Sequence, residues 1–185
     1  MCEIIDGYCV FDKLEMTGGA RIICPKCMGH IMNNIRCLAV NWKFVMTSGG
    51  MDPIHPGHIS SFTDAKAQGD YLIVVVNNDA FLERKKGKAF MPQRVRAQIT
   101  SMIKGVDYVV PLNPSRLDDD SVCAALEIIR PDIFAKGGDR NIDNIPEKAT
   151  CDRLGIKIVQ GMGDDKHWSS SDFLNKWSKS VFSKE

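Results

Sequence analysis

Two histidines three residues apart, His55 and His58, lie in the stretch Thr47-Ser48-Gly49-Gly50-Met51-Asp52-Pro53-Ile54-His55-Pro56-Gly57-His58. At that spacing one helical turn puts both imidazoles on the same side. The run before them, Trp42 to Met46, is apolar and strand-like; the run after them, Ile59 to Gln68, is helix-like. A strand, a glycine-bearing turn and a helix start make a phosphate cradle. The first N–H groups of a helix are unpaired and the macrodipole is positive there. Gly49 and Gly50 allow a sharp bend and a close backbone approach to a ligand. Pro56 suits a first helical turn, where its missing N–H costs nothing. Two imidazoles beside helix-start amides can bind and polarise a phosphate. The competing readings are a zinc pair and a capping histidine. Zinc usually takes three or four ligands, and no third His or Cys lies nearby in the sequence.

Three further segments carry polar chemistry. Arg84-Lys85-Lys86-Gly87-Lys88 reads as a basic loop, either a solvated face or a clamp for phosphates at the ligand-binding end of a sheet. Lys136-Gly137-Gly138-Asp139 follows a short apolar run, so its glycines permit close approach to a ligand. Ser169-Ser170-Ser171 opens a terminal helix-like run. Hydroxyls at such a place either cap the helix or bind polyphosphate.

The histidine stretch resembles G-x-F-D-x-x-H-x-G-H, the signature of the HxGH-motif nucleotidyltransferase superfamily, with Met51 where that family usually has Phe. Its members include cytidylyltransferases, heptose-phosphate adenylyltransferases and pantetheine-phosphate adenylyltransferases. Lys136-Gly137-Gly138-Asp139 resembles the second signature, K-G-G-D in heptose-phosphate adenylyltransferases and more often (M/H)-G-x-D in cytidylyltransferases. Trp168-Ser169-Ser170-Ser171 resembles the third, (I/C)-S-T-(T/S), with Trp and Ser as departures. Cytidylyltransferases usually carry an Arg four residues before the apolar position, where this chain has Asp164. The resemblance covers residues 41 to 177, approximately.

The resemblance implies nucleotidyl transfer from a nucleoside triphosphate to a phosphorylated small molecule, with pyrophosphate leaving. His55 and His58 would contact the triphosphate, and Lys85 and Lys88 would neutralise phosphate charge. Gly50, Met51, Asp52 and Gly57 would lie in the nucleotide site, with Asp52 orienting a lysine or substrate or helping to hold Mg²⁺. Lys136, Gly137, Gly138 and Asp139 would border base and ribose, and Ser169, Ser170 and Ser171 the β- and γ-phosphates. Arg96 falls on a family arginine, as a substrate contact or as an ion pair supporting the loop. Mg²⁺ is implied by the triphosphate. The K-G-G-D match favours ATP and a sugar 1-phosphate of the heptose type. The alternative is CTP with glycerol 3-phosphate or a similar alcohol phosphate. Relatives of this kind are often dimers, so a homodimer is an open expectation.

The elements around these segments alternate. Beyond Trp42 to Met46, strand-like runs are Tyr71 to Val76, Tyr108 to Pro111, Ile133 to Ala135 and Ile156 to Val159. Helix-like runs separate them. The pattern predicts an α/β fold, a Rossmann-like doubly wound parallel sheet of about five strands in order 3-2-1-4-5, over residues 41–185. Segments after the first, fourth and fifth strands then converge at the switch point, at the carboxyl ends.

Residues 1–40 read as a separate cysteine-rich extension, with Cys2, Cys9, Cys24, Cys27 and Cys37. Cys24-Pro25-Lys26-Cys27 is one C-x-x-C knuckle, and Cys9 and Cys37 would complete a four-thiolate zinc site. The other readings are a loosely structured extension, or sequence upstream of a natural start at Met28 or Met32. Seven cysteines in this setting are expected as reduced thiols. A net charge of +1 provides no basic field for nucleic acid. The run Leu72 to Val76 is too short to span a bilayer. Glu3 and Asp6 stand where a secretory n-region is basic. The expectation is therefore a cytoplasmic protein without membrane or nucleic-acid partners.

Overall fold

The fold is a parallel sheet with helices on both faces, read from a computed structural model. It describes residues 4–5, 8–9, 19–38, 41–112, 121–138, 145–163 and 169–182. The strands are β1 (Ile4–Ile5), β2 (Tyr8–Cys9), β3 (Arg21–Ile22), β4 (Phe44–Gly49), β5 (Tyr71–Val76), β6 (Tyr108–Pro111), β7 (Ile133–Gly137) and β8 (Lys157–Met162). The helices are α1 (Pro25–Cys37), α2 (Pro56–Lys66), α3 (Asp79–Lys86), α4 (Gln93–Ser101), α5 (Cys123–Ile129), α6 (Lys148–Leu154) and α7 (Ser170–Phe182). β1 and β2 form a small antiparallel pair. The other six strands make one sheet in the order β3-β6-β5-β4-β7-β8, parallel throughout.

The core follows from the two-residue period of the strands. Phe44, Met46, Ile73, Val75, Val110 and Phe134 face a cluster that includes Met28 and Met32 of α1, Leu126 and Ile129 of α5 and Cys151 of α6. Val45, Leu72, Val74, Val76, Val109 and Ala135 face the other way, toward Phe62 and Ala65 of α2 and Ala97 of α4. Every residue from Leu72 to Val76 is inaccessible to solvent. That explains their unbroken apolar run, since a central parallel strand is covered on both faces.

The five expected strands occur in the expected order, and β3 adds a sixth at the edge. This moves the expected boundary near residue 40. β3 pairs with β6 through Arg21–Tyr108 and Ile22–Val109, and Met28 and Met32 are fully buried. Residues 19–38 therefore belong to the same folded unit. The four-cysteine site is not assembled as expected. Cys27 and Cys37 lie on the same helix, ten residues apart, about 15 Å at the α-helical rise. The Cys9 side chain and Cys2 lie outside the described residues. Among the described residues no group of three or more His, Cys, Asp or Glu side chains is placed to hold a metal ion.

The basic segment is also not a loop. Arg84, Lys85 and Lys86 form the last turn of α3, and Gly87 ends it in the left-handed region at φ 83°. Cations there complement the negative end of the helix. No described helix is long and apolar enough to cross a membrane.

Candidate active site

β4 delivers the chain to the carboxyl end of the sheet, and residues 50–55 turn it into α2. His55 is the N-cap of α2, Pro56 its first residue and His58 its third. The two imidazole centroids are 3.9 Å apart. The His55 N–H donates to His58 Nδ1 at 3.3 Å, and the His58 N–H donates to the His55 carbonyl at 2.9 Å. Accepting at Nδ1 leaves Nε2 to carry the proton of a neutral His58. His55 Nδ1 is buried with no hydrogen-bond partner among the described groups.

Both imidazoles are held neutral. Burial pushes His58 down to about 3, with the charges of His55 and Lys86 adding to the effect. Burial and Lys86 also lower His55, against a smaller opposing hydrogen bond. The sign of the pH dependence follows. Between pH 6.5 and about 3 the unfolded His58 binds a proton that the folded one refuses. Stability therefore falls as pH falls through that window. In ligand-free protein the His58 imidazole resonances should stay constant from pH 8 to 5; an NMR titration midpoint near the ordinary value would refute this.

The lysine facing the histidines is Lys86. Its Nζ donates to the Asp52 carbonyl at 2.8 Å. Burial lowers the Lys86 ammonium, Asp52 opposes this and Arg96 adds to it. Lys85 instead lies 5.3 Å over the Phe81 ring, and Lys85 and Lys88 are exposed. Helical period explains the difference. Lys86 is four residues after Leu82, which is buried against the domain, so both point inward. We expect Lys86→Gln to lower kcat/KM about ten- to a hundredfold. Lys85→Gln and Lys88→Gln should change it less than about threefold. Steady-state kinetics on the three variants checks the ranking.

Asp52 and Arg96 frame the site. Asp52 is fully buried. Its Oδ2 accepts the Phe90 N–H at 2.7 Å and its Oδ1 the Met91 N–H at 2.9 Å. This corrects the expectation that Asp52 touches nucleotide or Mg²⁺: it ties the turn to the segment entering α4. Arg96 is also fully buried. It donates to the carbonyls of Met91 (2.9 Å), Gly50 (2.5 Å) and Asn77 (2.9 Å), and to Asp79 Oδ1 (2.5 Å). Of the two roles open to Arg96, the structure assigns support. Gly50 packs closely on α3, where an added methyl would lie 2.7 Å from the Leu82 side chain and force it to shift. Met51 is buried in the apolar cluster with Phe62, at φ 53°, so its side chain does not line a nucleotide pocket as expected.

The other two segments meet α2. Ser170 Oγ donates to the Pro53 carbonyl at 2.8 Å, and the Phe173 ring lies 6.3 Å from the His55 ring. Ser169 Oγ accepts the Asp172 N–H at 3.4 Å, so Ser169 caps α7. Ser171 is partly buried beside them. β7 pairs directly with β4, and Gly137 abuts α2, where an added methyl would lie 3.1 Å from Ser61 Oγ. Gly57 is the second residue of α2, and Gly138 ends the described part of the second segment. Lys136 turns away from the position expected for it. Its Nζ sits 3.2 Å from Glu147 Oε2 and 4.7 Å over the Phe134 ring. Asp139, Asp164 and Trp168 lie outside the described residues.

Sequence reasoning missed Lys86, Asp79, Asn77 and Glu147. Asn77 is buried at the carboxyl end of β5, and its Oδ1 has no partner among the described groups. An orphan acceptor at a parallel sheet's carboxyl end suits a ligand donor.

The cytidylyltransferase-like family model matches residues 46–173, a span running from β4 through all three segments. The chain belongs to the cytidylyltransferase-like family. Membership places it among the nucleotidyltransferases. It is 34% identical over 138 residues to the bifunctional protein HldE of Hahella chejuensis, covering 74% of this chain and 26% of that protein. It is 40% identical over 128 residues to HldE of Azotobacter vinelandii, covering 66% of this chain and 24% of that one. The chain thus spans about a quarter of the length of these curated relatives. Among solved structures, the lipopolysaccharide core biosynthesis protein of Thermoplasma volcanium is similar at TM-score 0.55 and 30% identity, over 68% of this chain and all of that one. The pantoate-beta-alanine ligase of Francisella tularensis, at 18% identity and TM-score 0.57 over 83% of this chain and 72% of that one, shares the fold.

Proposed function

We propose that this cytidylyltransferase-like chain transfers AMP from ATP to a sugar 1-phosphate of the heptose type and releases pyrophosphate. The observation that carries the transfer is the pair of neutral imidazoles, 3.9 Å apart at the start of α2, with Lys86 beside them. The sugar is supported by the K-G-G-D segment and by similarity to a lipopolysaccharide core biosynthesis protein.

The attacking group is a phosphate oxygen, already ionised at neutral pH, so no strong general base is needed. Catalysis then rests on positioning and on neutralising charge that develops around the α-phosphorus. His58 donates from Nε2 to a phosphate oxygen. His55 and the Gly57 N–H in the first turn of α2 hold the same group, and Lys86 meets the charge leaving with pyrophosphate. Ser170 and Ser171 at the start of α7 are assigned to the β- and γ-phosphates, and Gly137 and Gly138 to base and ribose. Mg²⁺ is expected with the triphosphate. Phosphate oxygens and water, with one or two carboxylates, would be its usual partners.

The test is pyrophosphate release with ATP and CTP separately, against sugar 1-phosphates and alcohol phosphates. Release with ATP and a heptose 1-phosphate supports the proposal. Release confined to CTP and glycerol 3-phosphate would replace it with the cytidylyl reaction.

A further inference from the structure

Cys24 and Cys27 precede the family match, which begins at residue 46, and the proposed transfer uses neither thiol. Their arrangement is specific. Cys24 is the N-cap of α1, with extended backbone at φ −74° and ψ 159°. Its Sγ accepts the Cys27 N–H at 3.4 Å. The two sulfurs are 3.3 Å apart. Pro25 opens the helix between them, which fixes the first turn at no loss of an N–H. α1 is anchored by Met28 and Met32, both fully buried. Cys24 is 7% exposed, while Cys27 is partly exposed at the rim of the same cluster.

We infer that Cys24 and Cys27 form a thiol–disulfide exchange site that takes a small-molecule disulfide as its oxidant. A disulfide needs its sulfurs about 2 Å apart, so side-chain rotation closes the remaining gap with α1 in place. A helix start favours the thiolate over the thiol, and here an N–H is aimed at the Cys24 sulfur. Cys27 is the accessible partner and makes the first attack. Its thiolate bonds to one sulfur of the disulfide, and the other sulfur leaves as a thiolate. The Cys24 thiolate then bonds to the Cys27 sulfur and expels the second thiolate. The small disulfide gains two electrons, the protein dithiol loses them, and the two cysteine protons end on the released thiols. The remaining described cysteines are placed differently. Cys37 is at the far end of α1. Cys151 is buried, and burial, Glu147 and Cys123 push its thiol up to about 11.

The experiment equilibrates the full chain in glutathione buffers graded from reduced to oxidised, quenches with acid, alkylates and maps each cysteine by peptide mass. Alkylation at Cys24 and Cys27 should fall together by at least tenfold, as their peptide loses two hydrogens. In Cys24→Ser, Cys27 should accumulate the glutathione adduct; in Cys27→Ser, Cys24 should stay largely unmodified. The inference is overturned if the two wild-type thiols titrate independently, or if either pairs with another cysteine. It is equally overturned if a stoichiometric bound metal in the isolated protein shields both from the buffer. The wild-type mapping decides this even if a variant fails to fold.

Discussion

Replacing His58 with asparagine should lower kcat for pyrophosphate release about a hundred- to a thousandfold, with a much smaller change in KM. The magnitude is what enzymes lose when one preorganised donor to a charge-developing oxygen is removed. The kcat–KM split follows because a donor aimed at the reacting phosphorus acts mainly in the transition state. Asparagine is the informative replacement. Its side-chain oxygen can take over the hydrogen bond from the His55 N–H, now 3.3 Å from Nδ1. The start of α2 should then lose about 1 kcal/mol or less, the range for a changed cap. Thermal unfolding and stopped-time assays on the same preparation separate the two effects. A kcat within about threefold of wild type, on folded protein, would remove His58 from the chemistry.

Replacing Arg96 with alanine should destabilise the domain by about 3–5 kcal/mol, the range for removing one partner of a buried charge network. Four acceptors lose their donor together: the carbonyls of Met91, Gly50 and Asn77, and Asp79. Asp79 is partly exposed and can recruit water, but the Arg96 side chain itself has no solvent contact. Urea denaturation should show a lower midpoint with an unchanged slope. Arg96→Lys should recover little, since one ammonium cannot span the positions of a planar guanidinium. Activity at low temperature, where the variant is still folded, should fall as well, because Gly50 and Asn77 flank the cleft. A loss below about 1 kcal/mol would mean that the four contacts are dispensable.

Apart from Lys86, the residues that touch phosphate in this proposal were the easiest to find in the sequence. His55 and His58, and likewise Ser170 and Ser171, are close together in the chain within each segment, and each segment's chemistry depends on a local element, a helix start or a turn. The order of the five strands was legible for a similar reason. Short apolar strand-like runs separated by helical runs leave a parallel sheet few topologies. The second layer was not legible. Asp52 has no local mark of its task, because its partners are the amides of Phe90 and Met91, nearly forty residues away. Arg96 joins three segments, at Gly50, at Asn77 and Asp79, and at Met91, and only packing decides that its charge faces protein rather than substrate.

Residues 19–38 show the same division. Their cysteines drew attention as a unit apart, yet β3 completes the sheet edge and α1 fills the face beside α5. A strand of two residues, Arg21–Ile22, has too little pattern to announce itself; β6 beside it creates the strand. Lys86 lies between these cases. Its neighbours Lys85 and Lys88 offer the same charge, and choosing among them needed the helix to extend through residue 86 and Leu82 to be buried. Types and short spacings thus determined the family, the order of the principal strands and the phosphate-facing groups other than the lysine. Long-range packing alone decided which lysine faces the cleft, which charges serve as braces, and where the domain begins. Burial and desolvation are properties of the assembled neighbours and not of the residue.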